Sequence, residues 1–292
     1  MENSIVLMLV TMTIFCLMFS IGVSHSFQEL TFLWRWPGLL LRSLFAVIAL
    51  VPAVVGLLLW VFELPVAVAT GIAILAAAPG APLTHKRSQM AGGDLVYTAS
   101  LQLTLALMAV LVTPIILSIF GALFELDAVR VSPFKVARQI SVVTFLPVTI
   151  GLLLQRFAPR LADMIIKPLR MLANALFITL VAVLLTAPVF LPGFGTALNL
   201  GGGSTVAIII MAGSSLTIGH LLGGPSPSRR SSLAISCVAR NVGLAFYIAG
   251  LSDQGQSFIP TLLTYMILGA LLAAPYSVWS KGLAHESEKG MA

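Results

Sequence analysis

Apolar runs of about twenty residues follow one another from the amino-terminal residues nearly to the carboxyl end, and they decide what this chain can be. A bilayer core is about 30 Å thick and an α-helix rises about 1.5 Å per residue, so each run is long enough to cross once. Lipid offers the backbone no hydrogen bonds, so each run must satisfy its own amides and carbonyls, which selects helices. Composition agrees: 59% of the 292 residues are hydrophobic, 9% are charged and mean hydropathy is +1.05, outside the range of soluble domains. The expectation is an all-α polytopic membrane protein with about nine transmembrane helices, all in a single membrane domain over residues 1–292. The runs lie at 4–23, 39–62, 65–91 (interrupted), 95–124, 139–157, 171–191, 204–222, 232–251 and 258–279. Only Glu2 is charged ahead of the first run, and no small-residue cleavage pattern follows it, so it reads as a retained span.

The net charge of +6 and pI near 9.8 do not point to nucleic acid, because the basic residues sit at span ends rather than in a stripe. An odd number of spans puts the termini on opposite sides. One side then collects Arg35, Arg42, Lys86, Arg87, Arg156, Arg160, Lys167, Arg170, Arg229, Arg230, Lys281 and Lys289, and the other Arg130, Lys135 and Arg138. Positive-inside bias places the amino terminus outside and the carboxyl terminus in the cytoplasm of a cell's inner (plasma) membrane. Cys16 and Cys237 fall inside apolar runs with no CxxC spacing, so both read as small core residues. His25, His85, His220 and His285 show no metal-ligand spacing. No metal and no cofactor are expected; the partners are the bilayer and a small solute, and a monomer is plausible.

Two runs are interrupted. The third carries Ala78-Pro79-Gly80-Ala81-Pro82-Leu83-Thr84-His85-Lys86, too rich in Pro and Gly for an unbroken helix. The eighth carries Val238-Ala239-Arg240-Asn241-Val242-Gly243. Arg240 demands a cavity, a partner or a substrate, because a charge near the midplane costs from about 3 to over 10 kcal/mol. Broken, polar spans in corresponding places of two halves point to an inverted-repeat transporter with its site near the midplane. Plainer readings stand beside this one: the Pro-Gly break as packing, Arg240 as a static brace on carbonyls, His85 as a hydrogen-bonded core histidine, Lys86 as a snorkelling side chain. Gln102, Asn174 and His220 are expected to make interhelical hydrogen bonds, and Trp34, Trp36 and Trp279 to anchor at the interface.

These residues resemble the bile acid:sodium symporter superfamily. Its pattern of a proline-glycine break, a Gly-Asp and a helix ending in Thr-Pro is matched by Pro79-Gly80, Gly93-Asp94 and Leu95 to Thr113-Pro114. Its partner helix is matched by the window from Ser236 to Ala245, and the likeness extends through Ser20-Ile21-Gly22, Pro52 and Pro147. Many members have ten spans, so the chain resembles one without the first. The resemblance implies two broken, crossing helices, a core subdomain over approximately 39–124 and 204–280, and a panel over approximately 4–23 and 139–191. It also implies alternating access and the carriage of organic anions with sodium.

The chain departs from that pattern at the sodium ligands. The family's shared glutamate is matched by Ser236, its glutamine by Arg240, a second glutamine by Val47 and an asparagine by His85. Thr84, Thr98 and Gln102 keep oxygens at further ligand positions. Losing a carboxylate and gaining a guanidinium disfavours a small hard cation. The reading is therefore an organic-anion carrier, most simply for carboxylates, that does not use the usual sodium sites and works by uniport, exchange or proton coupling. Its expected substrate-site residues are Arg240, Asn241, His85, Thr84, Pro79, Gly80 and Ser236. The alternatives are a sodium-dependent organic-anion symporter and, more distantly, a membrane enzyme or channel.

Overall fold

The computed structural model describes residues 2–81, 83–126, 132–190 and 200–289; Pro82, Arg130 and Leu191 lie outside them. Among the described residues the regular structure is entirely helical. The elements are α1 (Glu2–Ser24), α2 (Phe27–Leu30), α3 (Pro37–Leu44), α4 (Val51–Val61), α5 (Val66–Ala77), α6 (Thr84–Met90), α7 (Leu95–Phe124), α8 (Pro133–Ile140), α9 (Leu146–Phe157) and α10 (Pro159–Phe190). They continue with α11 (Gly202–Leu222), α12 (Pro227–Val238), α13 (Val242–Ala249) and α14 (Gly255–Lys289). Among the described residues six segments are long and apolar enough to cross a membrane: Pro37–Val61, Leu95–Phe124, Ala137–Phe157, Gly202–Leu222, Pro227–Ala249 and Gly255–Ala284. Thr11–Ser24 and Val66–Ala77 are shorter apolar helices.

The third and eighth runs break where the sequence predicts, giving α5 and α6 on one side and α12 and α13 on the other. Each pair is preceded by one crossing and followed by a long helix, α7 or α14. Burial puts the broken helices at the centre. In the apolar window of Pro227–Ala249, 78% of the residues are buried, against 33% in Pro37–Val61. On α5 every residue from Val68 to Ala77 is buried, as expected of a helix apolar on all faces.

Two features were not legible as periodicity. Between α3 and α4 the helix widens into a π-helical stretch, Phe45–Leu50, where the Val51 N–H donates to the Ala46 carbonyl. The next donor in that register belongs to Pro52, which has none, so the Val47 carbonyl is left free inside the helix. A second π-helical stretch, Ser141–Phe145, precedes Pro147 in the same way. The sequence also hides α2, a single turn between two crossings, closed by a capping box in which Ser26 and Glu29 bond reciprocally. The Ser26 N–H and hydroxyl hold the Glu29 carboxyl below its ordinary value.

Around the centre, α1 packs along α9 and α10, while α12 packs on α11 and α14, and α14 on α5. At the α1–α9 crossing, a Cβ on Gly151 would stand 2.6 Å from the Phe19 carbonyl oxygen and 2.7 Å from the Val23 nitrogen. Only glycine allows the two backbones to touch, the small-residue contact by which membrane helices approach.

Candidate functional site

The two breaks meet. The Asn241 N–H donates to the Ala78 carbonyl at 2.9 Å, and its side-chain amide donates to the Gly80 carbonyl at 3.2 Å. The Asn241 Oδ1 accepts from Leu244 N–H at 3.0 Å and so caps α13. Gly80 takes φ +79°, and a Cβ there would sit 3.2 Å from Ala106 N and Leu105 Cβ; both facts require glycine. Helix ends expose carbonyls and amides that lipid cannot satisfy, and here the second break supplies the donors for the carbonyls of the first.

Arg240 completes this arrangement. It is 3% exposed, and its guanidinium donates to the Val47 carbonyl through Nη1 at 3.2 Å and Nη2 at 3.3 Å. Nη1 also reaches the Ala76 carbonyl at 3.5 Å. The two acceptors have separate origins: Ala76 ends α5, and Val47 is the carbonyl freed by the π-turn and Pro52. Tyr265 of α14 donates to the Val238 carbonyl at 2.8 Å, bonding the end of α12 beside the guanidinium. A planar donor fork presents its N–H groups in fixed, spread directions and so spans carbonyls of two helices, where a lysine offers a compact point charge.

Below the crossing lies a hydroxyl cluster. Ser236 donates to the Ser232 carbonyl at 2.7 Å and accepts from the Gln102 amide at 3.2 Å. Ser88 bonds Thr98 at 2.8 Å and Ser232 at 3.0 Å, and Thr98 donates to the Asp94 carbonyl at 2.7 Å. The Asp94 carboxylate caps α7 at Tyr97 N–H and pairs with Arg229 at 3.5 Å. The Thr84 hydroxyl and the Gln102 carbonyl oxygen are buried without a hydrogen-bond partner. Thus Val47, Ala76, Ala78, Gly80, Ser236, Gln102, Arg240 and Asn241 are gathered at one locus. Thr84 lies at the start of α6 and is fully buried, while Pro79 shapes the break.

His85 and Lys86 do not share the pocket that Arg240 lines. They face a separate cavity of about 310 Å³ between α1, α6 and α10, with His25, Arg170 and Asn174. Lys86 and Asn174 both line this cavity. His25 and Arg170 were missed as site residues, since nothing local marks them and only the packing of α1 and α10 brings them to α6. His220 does bond across helices, to the Tyr276 hydroxyl at 2.9 Å. Trp34, half exposed, also donates to Thr104 at 2.8 Å. Among the described residues no group of three His, Cys, Asp or Glu side chains is placed to hold a metal.

A family model described as Sodium Bile acid symporter family matches residues 11–191, which takes in α1 to α10 and the first break but not α12 and Arg240. No curated protein gives a match to the chain.

Proposed function

Because the chain belongs to the sodium bile acid symporter family, we propose that it is a secondary transporter of small organic anions that does not use the family's sodium sites. Multi-pass helices and family membership support the reading of a membrane transporter rather than an enzyme. In this reading α3 to α7 and α11 to α14 form a core, α1 with α8 to α10 forms a panel, and the two move against each other to alternate access. The amino terminus faces outside and the carboxyl terminus the cytoplasm.

The observation that carries the reading is the Arg240 guanidinium bonded to the Val47 and Ala76 carbonyls. A bound cation draws the free carbonyls of broken helices together by lending them positive charge. Arg240 supplies that charge permanently, from inside the chain. Ser236 brings a hydroxyl and no negative charge, and its oxygen is engaged with Gln102 and Ser232. A sodium ion would meet a fixed positive charge without a carboxylate to offset it. At the crossing Arg240 and Asn241 supply donors to the Val47, Ala76, Ala78 and Gly80 carbonyls, while the Arg240 Nε–H stays without a partner.

Purified protein in proteoliposomes is expected to take up organic acids at the same rate with inward sodium and inward potassium gradients. Uptake that requires sodium would overturn the proposal. The sodium-dependent alternative draws on one observation, the unpartnered oxygens of Thr84 and Gln102. It predicts a saturable rise in thermal stability on titration with sodium chloride over choline chloride.

A further inference from the structure

The cavity between α1, α6 and α10 is built from three helix faces, each polar at four-residue spacing. These are Ser20 and Ser24 on α1, His85 and Gln89 on α6, and Arg170 and Asn174 on α10. Residues four apart lie on one side of a helix, so each face projects both its polar groups into the same space. Lys86 adds an ammonium from α6. The Arg170 guanidinium is held across the mouth by donating to the Ser24 hydroxyl at 2.9 Å. No carboxylate lines the cavity. Glu29, which acts on His25, is turned into its own capping box with Ser26.

The two imidazoles form one wall. Their centroids stand 5.1 Å apart at 89°, and His25 commits Nδ1–H to the Ile21 carbonyl at 3.1 Å, since a carbonyl can only accept. The remaining lining is donor-rich: an ammonium, a guanidinium, two amides and two hydroxyls. The two fixed cations sit on different helices and at different depths, Lys86 half-buried on α6 and Arg170 exposed at the mouth on α10. A single carboxylate can satisfy one of them; a ligand with two separated carboxylates can satisfy both. About 310 Å³ is at the small end of ligand pockets, roughly 300–1,000 Å³, and favours a short chain over a fused-ring acid.

Resting on the organic-anion reading above, we propose that this cavity is a binding site for compact dicarboxylates, with Lys86 and Arg170 each taking one carboxylate. The amides of Gln89 and Asn174 orient the ligand, and the His25–His85 pair closes its side. Arg240, which lines a different pocket and donates from Nη1 and Nη2 to backbone carbonyls, has no contact with the ligand.

The test is isothermal titration of the full chain in nanodiscs with succinate, butyrate and cholate. Succinate is expected to bind on the order of tenfold tighter than butyrate, the difference of one charge-assisted contact, and cholate no tighter than butyrate. Lys86→Gln and Arg170→Gln are each expected to erase the succinate preference while leaving butyrate within about threefold. Lys86→Arg should keep the preference, as should Arg156→Gln, which removes an exposed cation outside the cavity. Lys86 is half-buried and makes no structural bond in the fold, so its substitution leaves a folded protein to measure. A wild-type chain that binds succinate no better than butyrate, or a preference that survives both Gln variants, overturns the proposal. If the preference behaves as expected but proteoliposomes move no organic anion, the transport reading falls and the site stands. If sodium-free uptake of butyrate and succinate is equal and unchanged by Lys86→Gln, the site falls and the transport reading stands.

Discussion

Without the Arg240 side chain, the buried carbonyls of Val47 and Ala76 lose the guanidinium donor. Each buried acceptor left unsatisfied costs about 1–3 kcal/mol, so Arg240→Met is expected to lower unfolding stability by about 2–6 kcal/mol. Arg240→Lys should recover part of this, because an ammonium reaches one carbonyl but lacks the fork. Unfolding in mixed micelles measures both, and a loss below about 0.5 kcal/mol for Met would show that the guanidinium is not a brace. Arg240 announced itself in the sequence because a charge among apolar residues has a known cost. Val47 gave no such sign, since its contribution comes from the backbone, which every residue shares.

At the level of the element, the acceptor for Arg240 comes from a defect. The π-turn at Phe45–Leu50 shifts the register by one residue, and Pro52 then withholds the donor that the Val47 carbonyl would have met. Pro52→Ala restores a backbone N–H at that position, and the carbonyl can then be satisfied within its own helix. Arg240→Met is therefore expected to cost less in the Pro52→Ala background, with a coupling of about 1 kcal/mol or more in a double-mutant cycle. Additive costs would mean that Pro52 does not supply the acceptor. Pro52 stands in the sequence as a proline inside an apolar run, but a proline alone does not say which carbonyl it frees. That depends on whether the turn before it is α or π.

For the whole molecule, the nine-span reading fixes which loops share a side. With Cys16 and Cys237 replaced by alanine, a cysteine at the exposed position of Lys135 is expected to react with a membrane-impermeant maleimide added to intact cells. One at Gly282 should react only after permeabilisation. The reverse pattern would place the amino terminus in the cytoplasm. The packing of α1 along α9 and α10 also matters at this scale. It carries His25 and Arg170 to the flank of α6, about sixty residues before and eighty-five after His85 in the chain, and creates a polar cavity away from the crossing.

The sequence by itself determined the all-helical membrane fold, the two interruptions and the importance of Arg240 and Asn241. Each of these rests on a one-dimensional cost: water is absent, so backbone groups must pair locally, proline cannot, and charge is expensive. Tertiary structure alone decided what those residues touch. It turned the Arg240 guanidinium toward carbonyls and put His85 and Lys86 in another cavity, with partners on α1 and α10. Contacts between helices depend on crossing points and on small residues such as Gly151 that set their closeness. No spacing along a single chain encodes which two faces will meet.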